Sequence, residues 1–134
     1  MARVRGIGGI FFKSKDPQAL YAWYKQHLGI SADPQAGAFF RRDDSSHPED
    51  MTIWAIFPSS TRYFDPSPAP FMLNYIVDDL EELLKTLRED GVEVDPKMES
   101  HEYGKFGWIR DPDGNRIELW EPTAAQESSA PTST

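Results

Sequence analysis

Residues 71–94, FMLNYIVDDLEELLKTLREDGVEV, read as strand, helix and strand in one run. Phe71–Val77 is apolar and β-prone. Asp79-x-x-Glu82 is a helix start of the capping-box kind, and Leu80, Leu83, Leu84 and Leu87 form one buried stripe behind it. Glu81 and Glu82 stand in the first turn, with Lys85 and Arg88 later, as the helix dipole favours. Gly91 ends the helix, and a short strand is expected over Val92–Asp95. Downstream, residues 107–122, GWIRDPDGNRIELWEP, read as the end of a strand (Lys105–Arg110), a turn and a last strand (Arg116–Glu121). The turn is Asp111–Asn115, with Pro at a φ-fixed position and Gly where φ is positive.

The same order recurs upstream. Arg3–Lys13 is a strand interrupted by Gly6, Gly8 and Gly9. Asp16-Pro17 opens a helix over about 16–28, with the stripe Leu20, Trp23, Tyr24, His27 and Leu28, and Gly29 closes it. Strands are expected at Ala36–Arg42 and Met51–Phe57, around the polar loop DDSSHPED. Gly9 aligns with Met72, Asp16 with Asp79, Leu20 with Leu83, Gly29 with Gly91 and Pro58 with Pro122, an offset of 62–64 residues. The fold expected is α+β: two βαβββ modules forming a curved eight-stranded mixed sheet, helices outside, around a concave inner cavity. Module one spans 3–58, a Pro-rich connector 59–69 and module two 70–122, one domain over 3–122. The polar tail 123–134 is expected to be disordered.

Composition narrows the function. The 134 residues hold 14 Lys+Arg against 22 Asp+Glu, a net charge of −8. Nucleic acid and anionic membrane need a basic face, and the only tight basic pair is Arg41-Arg42, so neither is expected as a partner. There is no cysteine, which removes disulfides, thiolate zinc sites and a cysteine nucleophile. The apolar run Ile7–Phe12 is too short for a signal peptide or a membrane span, and a cytoplasmic protein is expected. Eight Phe, four Trp and five Tyr suggest an aromatic-walled pocket for a small molecule.

The paired halves, the V-D-D-L helix opening and the D-P-D-G-N-x-I-E-L ending resemble the vicinal oxygen chelate superfamily, the glyoxalase I, bleomycin-resistance and extradiol-dioxygenase group. The resemblance covers about residues 4–122; its second half is the specific part and its first half matches mainly by pattern. In metal-dependent members, His, Gln or Glu ligands come from the first and last strands of each half. The resemblance places those positions on Gly9 (Gly8 if the register slips by one), Met72, Trp54 and Glu118. Trp54 and Glu118 are matched by their common distance of four residues to Pro58 and Pro122. Only Glu118 suits a hard cation, and a catalytic metal ordinarily keeps three protein ligands. Metal-dependent glyoxalase or dioxygenase chemistry is therefore not expected, and no cofactor is. A site of Glu118 with His101 is the metal-binding alternative.

Strand alternation puts Glu118 on the cavity face, with Ile117 and Leu119 facing a helix. Trp108 shares its face if Arg110 pairs with Arg116. Trp54, Met72, Asn74, Tyr103, Phe106 and Trp108 are the expected substrate-binding residues, and the expected ligand is apolar or partly aromatic. His27 is read as structural, at a helix C-terminus, and His47 as solvated. Two functions fit: a bleomycin-resistance-like binding protein, or a lyase, isomerase or hydrolase with Glu118 as the catalytic acid or base. A homodimer is expected, since open sheet edges need covering.

Overall fold

The computed structural model describes residues 2–41 and 46–123. In chain order the elements are β1 (Val4–Ser14), α1 (Pro17–Leu28), β2 (Ala38–Arg41), β3 (Met51–Pro58), β4 (Phe71–Val77), α2 (Leu80–Glu89), β5 (Glu93–His101), β6 (Gly104–Arg110) and β7 (Arg116–Pro122). The expected helix boundaries hold because their caps form. Asp16 accepts from the Ala19 N–H at 3.1 Å, and Gly29 takes the left-handed conformation. Asp79 accepts from the Glu82 N–H at 3.2 Å. The Leu80 N–H at the start of α2, which has no partner within the helix, donates to Glu121 Oε1 at 2.9 Å. In the Asp111–Asn115 turn Gly114 has φ of 85° and Asp111 Oδ1 accepts from both Asp113 and Asn115.

The strands form one mixed, open sheet in the order β2-β3-β1-β4-β7-β6-β5. β1 with β3 and β4 with β7 are parallel; the other neighbours are antiparallel. Seven strands are present among the described residues, not the eight expected, with β1, β2 and β3 before the connector and β4, β5, β6 and β7 after it. Where a further strand would lie, Asp33–Gly37 closes a tight turn, with Gly37 N–H donating to the Asp33 carbonyl at 2.7 Å. Pro34 lacks a donor for a ladder there, and Gly37 has φ of 82°. β5, by contrast, runs well past the short segment expected, through His101. Of the expected strand Ala36–Arg42, Arg42 lies outside the described residues, as do residues 43–45 of the polar loop. Thr123 is held by the β5–β6 turn, donating to the Glu102 and Tyr103 carbonyls. The rest of the expected tail, residues 124–134, is outside the described chain.

Two apolar layers flank the sheet. One packs Val77, Leu80, Leu84 and Leu119 between sheet and α2. The other, on the opposite face, holds Phe11, Phe64, Met72 and Trp108, with Ile53, Ala55, Phe57 and Phe106 around it. The stripe expected on α1 is rotated. Trp23 and Leu28 are 50% and 62% exposed, while Tyr21, Leu20 and Tyr24 face the sheet. Tyr21 explains the rotation, because its hydroxyl accepts from the Ile56 N–H at 2.8 Å and ties the helix to β3 through a polar contact.

Candidate functional site

Strand register decides which side chains meet. Across five neighbouring strands, Ile53, Gly9, Asn74, Glu118 and Trp108 are successive partners. Directly paired residues share a face, so this row looks away from the helices. The next row is Trp54, Ile10, Leu73, Ile117 and Ile109, and it looks toward them. Trp54 therefore does not join the expected site. Its indole packs on Phe12, Tyr21 and Tyr24 beneath α1. The β3 residue in the same row as Glu118 is Ile53, one residue before Trp54, and a slip of one residue reverses a side chain's face.

Glu118 lies at the centre of the far face, only 3% exposed. Its Oε1 accepts from Asn74 Nδ2 at 2.6 Å and its Oε2 from Trp108 Nε1 at 3.1 Å. A third donor reaches Oε2: the hydroxyl of Tyr63, from the connector. Burial raises the Glu118 pKa, and the hydrogen bonds from Tyr63, Asn74 and Trp108, with the charge of Arg116, oppose that rise. Burial also raises the Tyr63 pKa strongly, reinforced by the Glu118 charge. Arg116 does not enter the cluster. Its guanidinium lies 5.1 Å from the Trp108 ring centroid and pairs with Asp95 at 3.2 Å.

The far face is filled. Phe64, on the connector, is fully buried against Phe11, Met72 and Trp108, and Phe57 tilts onto it with centroids 5.2 Å apart. Tyr63 stacks on Phe57 (5.8 Å, 9°) and meets Trp108 edge-on (6.3 Å, 89°). Met72, Asn74, Trp108 and Glu118 are thus brought together as expected, but under a cover of Tyr63 and Phe64 rather than at an open cup. Neither connector residue was legible as a site residue. The segment has no hydrophobic period, and its only signal was two adjacent rings in a Pro-rich stretch.

The open space lies beside this cluster. A pocket of about 540 Å³ is lined by Tyr63, Glu99, His101, Glu102, Tyr103 and Phe106. Phe106 stacks on Trp120 (5.9 Å, 5°), and Tyr103 is exposed, its carbonyl accepting from Trp120 Nε1 at 3.0 Å. These two expected binding residues line the pocket, and Tyr63 is the wall between it and Glu118. His101 also faces the pocket, bonded to Glu99 at 2.9 Å. The other histidines stand elsewhere: His27 is exposed against Trp23, and His47 lies 3.6 Å from Glu49.

The donor set around Glu118 does not suit a divalent cation. Asn74 and Trp108 present N–H groups and Tyr63 an O–H, all aimed at the carboxylate oxygens a metal would need. On β1 there is no space for a ligand side chain. A Cβ on Gly8 would stand 2.3 Å from Asn74 Oδ1 and 2.9 Å from both Ile76 and Trp120. The Asn74 amide fills that volume, and its Oδ1 has no hydrogen-bond partner among the described residues.

A family model described as the glyoxalase/bleomycin resistance protein/dioxygenase superfamily matches residues 6–119. Among curated proteins none matches the chain. Solved structures share the fold. A methylmalonyl-CoA epimerase from Mycobacterium tuberculosis is 19% identical, with a TM-score of 0.62 over 93% of each chain. A Streptomyces coelicolor methylmalonyl-CoA epimerase variant in complex with 2-nitronate-propionyl-CoA is 15% identical, with a TM-score of 0.66 over 91% of this chain and 100% of that one. A superfamily member from Vibrio splendidus is 16% identical, with a TM-score of 0.57 over 89% and 99%.

Proposed function

This chain belongs to the glyoxalase/bleomycin resistance protein/dioxygenase superfamily, and from that premise we propose that it binds a small, partly aromatic organic molecule at Glu118 without a divalent metal. The observation behind this reading is the clasp on Glu118, where three protein donors occupy the carboxylate that a metal would otherwise use. The walls are rings: Trp108, Phe57, Phe64 and Tyr63. Such a site orients a ligand by one charged hydrogen bond and holds it by apolar contact. Ligands of small organic type are consistent with the fold, since the Streptomyces epimerase variant holds a CoA ester.

A second reading is favoured by one observation, the raised pKa of a buried carboxyl beside a pocket. In it Glu118 transfers a proton as the acid or base of a lyase, isomerase or hydrolase. Glu118→Gln separates the two. A binding protein loses affinity by about 1–3 kcal/mol through the charged hydrogen bond. An enzyme loses turnover by about 100-fold or more while binding survives. Binding to chelator-treated protein is the expected result; binding that requires an added divalent ion would overturn the metal-free reading.

The protein is further proposed to pair with a second copy. Val4, Ile7 and Ile10 on β1 and Phe71 on β4 are exposed on the helix side of the sheet. Bulges at Val4/Gly6 and Ile7/Gly9 bring the three β1 residues to one face. A contiguous exposed apolar strip of this kind is the mark of an interface. Among the described residues no helix is long and apolar enough to cross a membrane.

A further inference from the structure

We propose that Tyr63 is an internal ligand of the Glu118 site, and that the external ligand is a phenol that binds by displacing it. This rests on the metal-free binding reading and names its ligand class.

Tyr63 differs from the other two donors to Glu118. Asn74 and Trp108 are buried on strands, whereas Tyr63 is 39% exposed and stands on the connector. Its ring already makes the contacts a free phenol would seek: a stacked face on Phe57, an edge on Trp108 and a hydroxyl on a carboxylate. The connector has anchors besides that ring. Phe64 anchors it from inside, and backbone bonds Thr61 to Pro58, Asp65 to Arg62 and Ser67 to Phe64 hold its turns. The side chain can leave while the segment stays, and the pocket of about 540 Å³ that Tyr63 lines is adjacent to receive it.

Displacement selects the ligand's chemistry. Once Tyr63 leaves, Glu118, only 3% exposed, lacks one of its three donors, and a buried carboxylate without its donor is costly. The incoming ring must return a hydrogen. A hydrocarbon cannot do so, and a benzoate would place a second carboxylate against the first. A cation meets Arg116 and Lys97, whose charged groups lie 5.1 and 6.0 Å from the Trp108 ring centroid. A neutral hydroxyl on a flat ring satisfies all of these. Because Tyr63 is tethered, it competes at high effective concentration and weakens every outside phenol.

The test follows the Trp108 indole N–H resonance, which reports the Glu118 contact, during titration with p-cresol, toluene and benzoate. The proteins are wild type, Tyr63→Phe and Tyr63→Leu. The expected result is that p-cresol binds wild type at least tenfold more tightly than toluene or benzoate. Removing the Tyr63 hydroxyl should tighten p-cresol by about tenfold or more. Equal binding of p-cresol and toluene would overturn the phenol assignment while leaving an aromatic-binding site intact. p-Cresol binding no more tightly to either folded variant than to wild type would overturn the internal-ligand role. No response to p-cresol or toluene in any of the three proteins would overturn both this inference and the binding function beneath it. Should one variant not fold, the other and the wild-type comparison decide.

Discussion

The Tyr63 hydroxyl donates to the Glu118 carboxylate and thereby ties the Pro-rich connector to the last strand of the sheet. A loop without hydrophobic periodicity thus closes the far face, and one hydrogen bond links that cover to the buried carboxylate of Glu118.

Removing this bond has a stability consequence. Tyr63→Phe keeps the ring on Phe57 and loses the donor to a charged acceptor. A decrease of about 1–2 kcal/mol in unfolding free energy is expected, reduced from the full value because Tyr63 is partly exposed. Urea denaturation measures it, and an unchanged midpoint would show that the hydroxyl contributes nothing to the cover.

The pH dependence follows from the raised Glu118 pKa. A carboxyl whose folded pKa exceeds its unfolded value binds more protons when folded over the interval between them. Its contribution is full below the unfolded value and declines as pH rises through the folded one. Asp95, Glu99 and Asp111 have lowered values and act in the opposite sense, losing stability as pH falls. Glu118→Gln isolates the one group. The stability of wild type relative to this variant should fall as pH is raised from about 4 toward neutrality, and a difference that grows in favour of wild type would contradict the assignment.

Gly8 and Gly9 make unequal predictions. Alanine at Gly8 meets the Asn74 amide, Ile76 and Trp120, all packed, at 2.3–2.9 Å. Alanine at Gly9 meets mainly the far end of the Phe11 ring, at 2.6 Å. Gly8→Ala is expected to cost about 1–3 kcal/mol, and Gly9→Ala less, because a ring can turn where an anchored amide cannot. Thermal unfolding of the two variants should rank them in that order; the reverse order would place the Asn74 amide elsewhere.

Self-association is checked by sedimentation. The wild type is expected to be a dimer at micromolar concentration, and Ile10→Lys, on the exposed helix-side strip, a folded monomer. A monomeric wild type would contradict the pairing.

Much of this was legible in residues that act locally. Asp16, Gly29 and Asp79 mark helix ends by their own hydrogen bonds and backbone angles, so sequence position alone locates both helices. The Asp111–Asn115 turn sets the β6–β7 register: Arg110 pairs with Arg116, and Trp108 therefore opposes Glu118. What failed was non-local. Distance to Pro58 matches Trp54 with Glu118, yet β3 and β7 differ by one residue in register against their neighbours, and that reverses the face of Trp54. Tyr63 and Phe64 fold back from a segment with no period to read. The tilt of α1 depends on Tyr21 reaching the β3 backbone, a contact that hydrophobic spacing does not encode.

The central claim is that protein donors, not a metal, satisfy Glu118. Its most direct test is thermal unfolding of chelator-treated protein with excess Zn²⁺, Ni²⁺, Mn²⁺ or Fe²⁺ added in turn. An ion that binds only the folded state raises the melting temperature by mass action. No ion-dependent rise is expected for wild type. A clear rise with one of these ions, absent in Glu118→Ala, would show that the carboxylate is a metal ligand and would contradict the account.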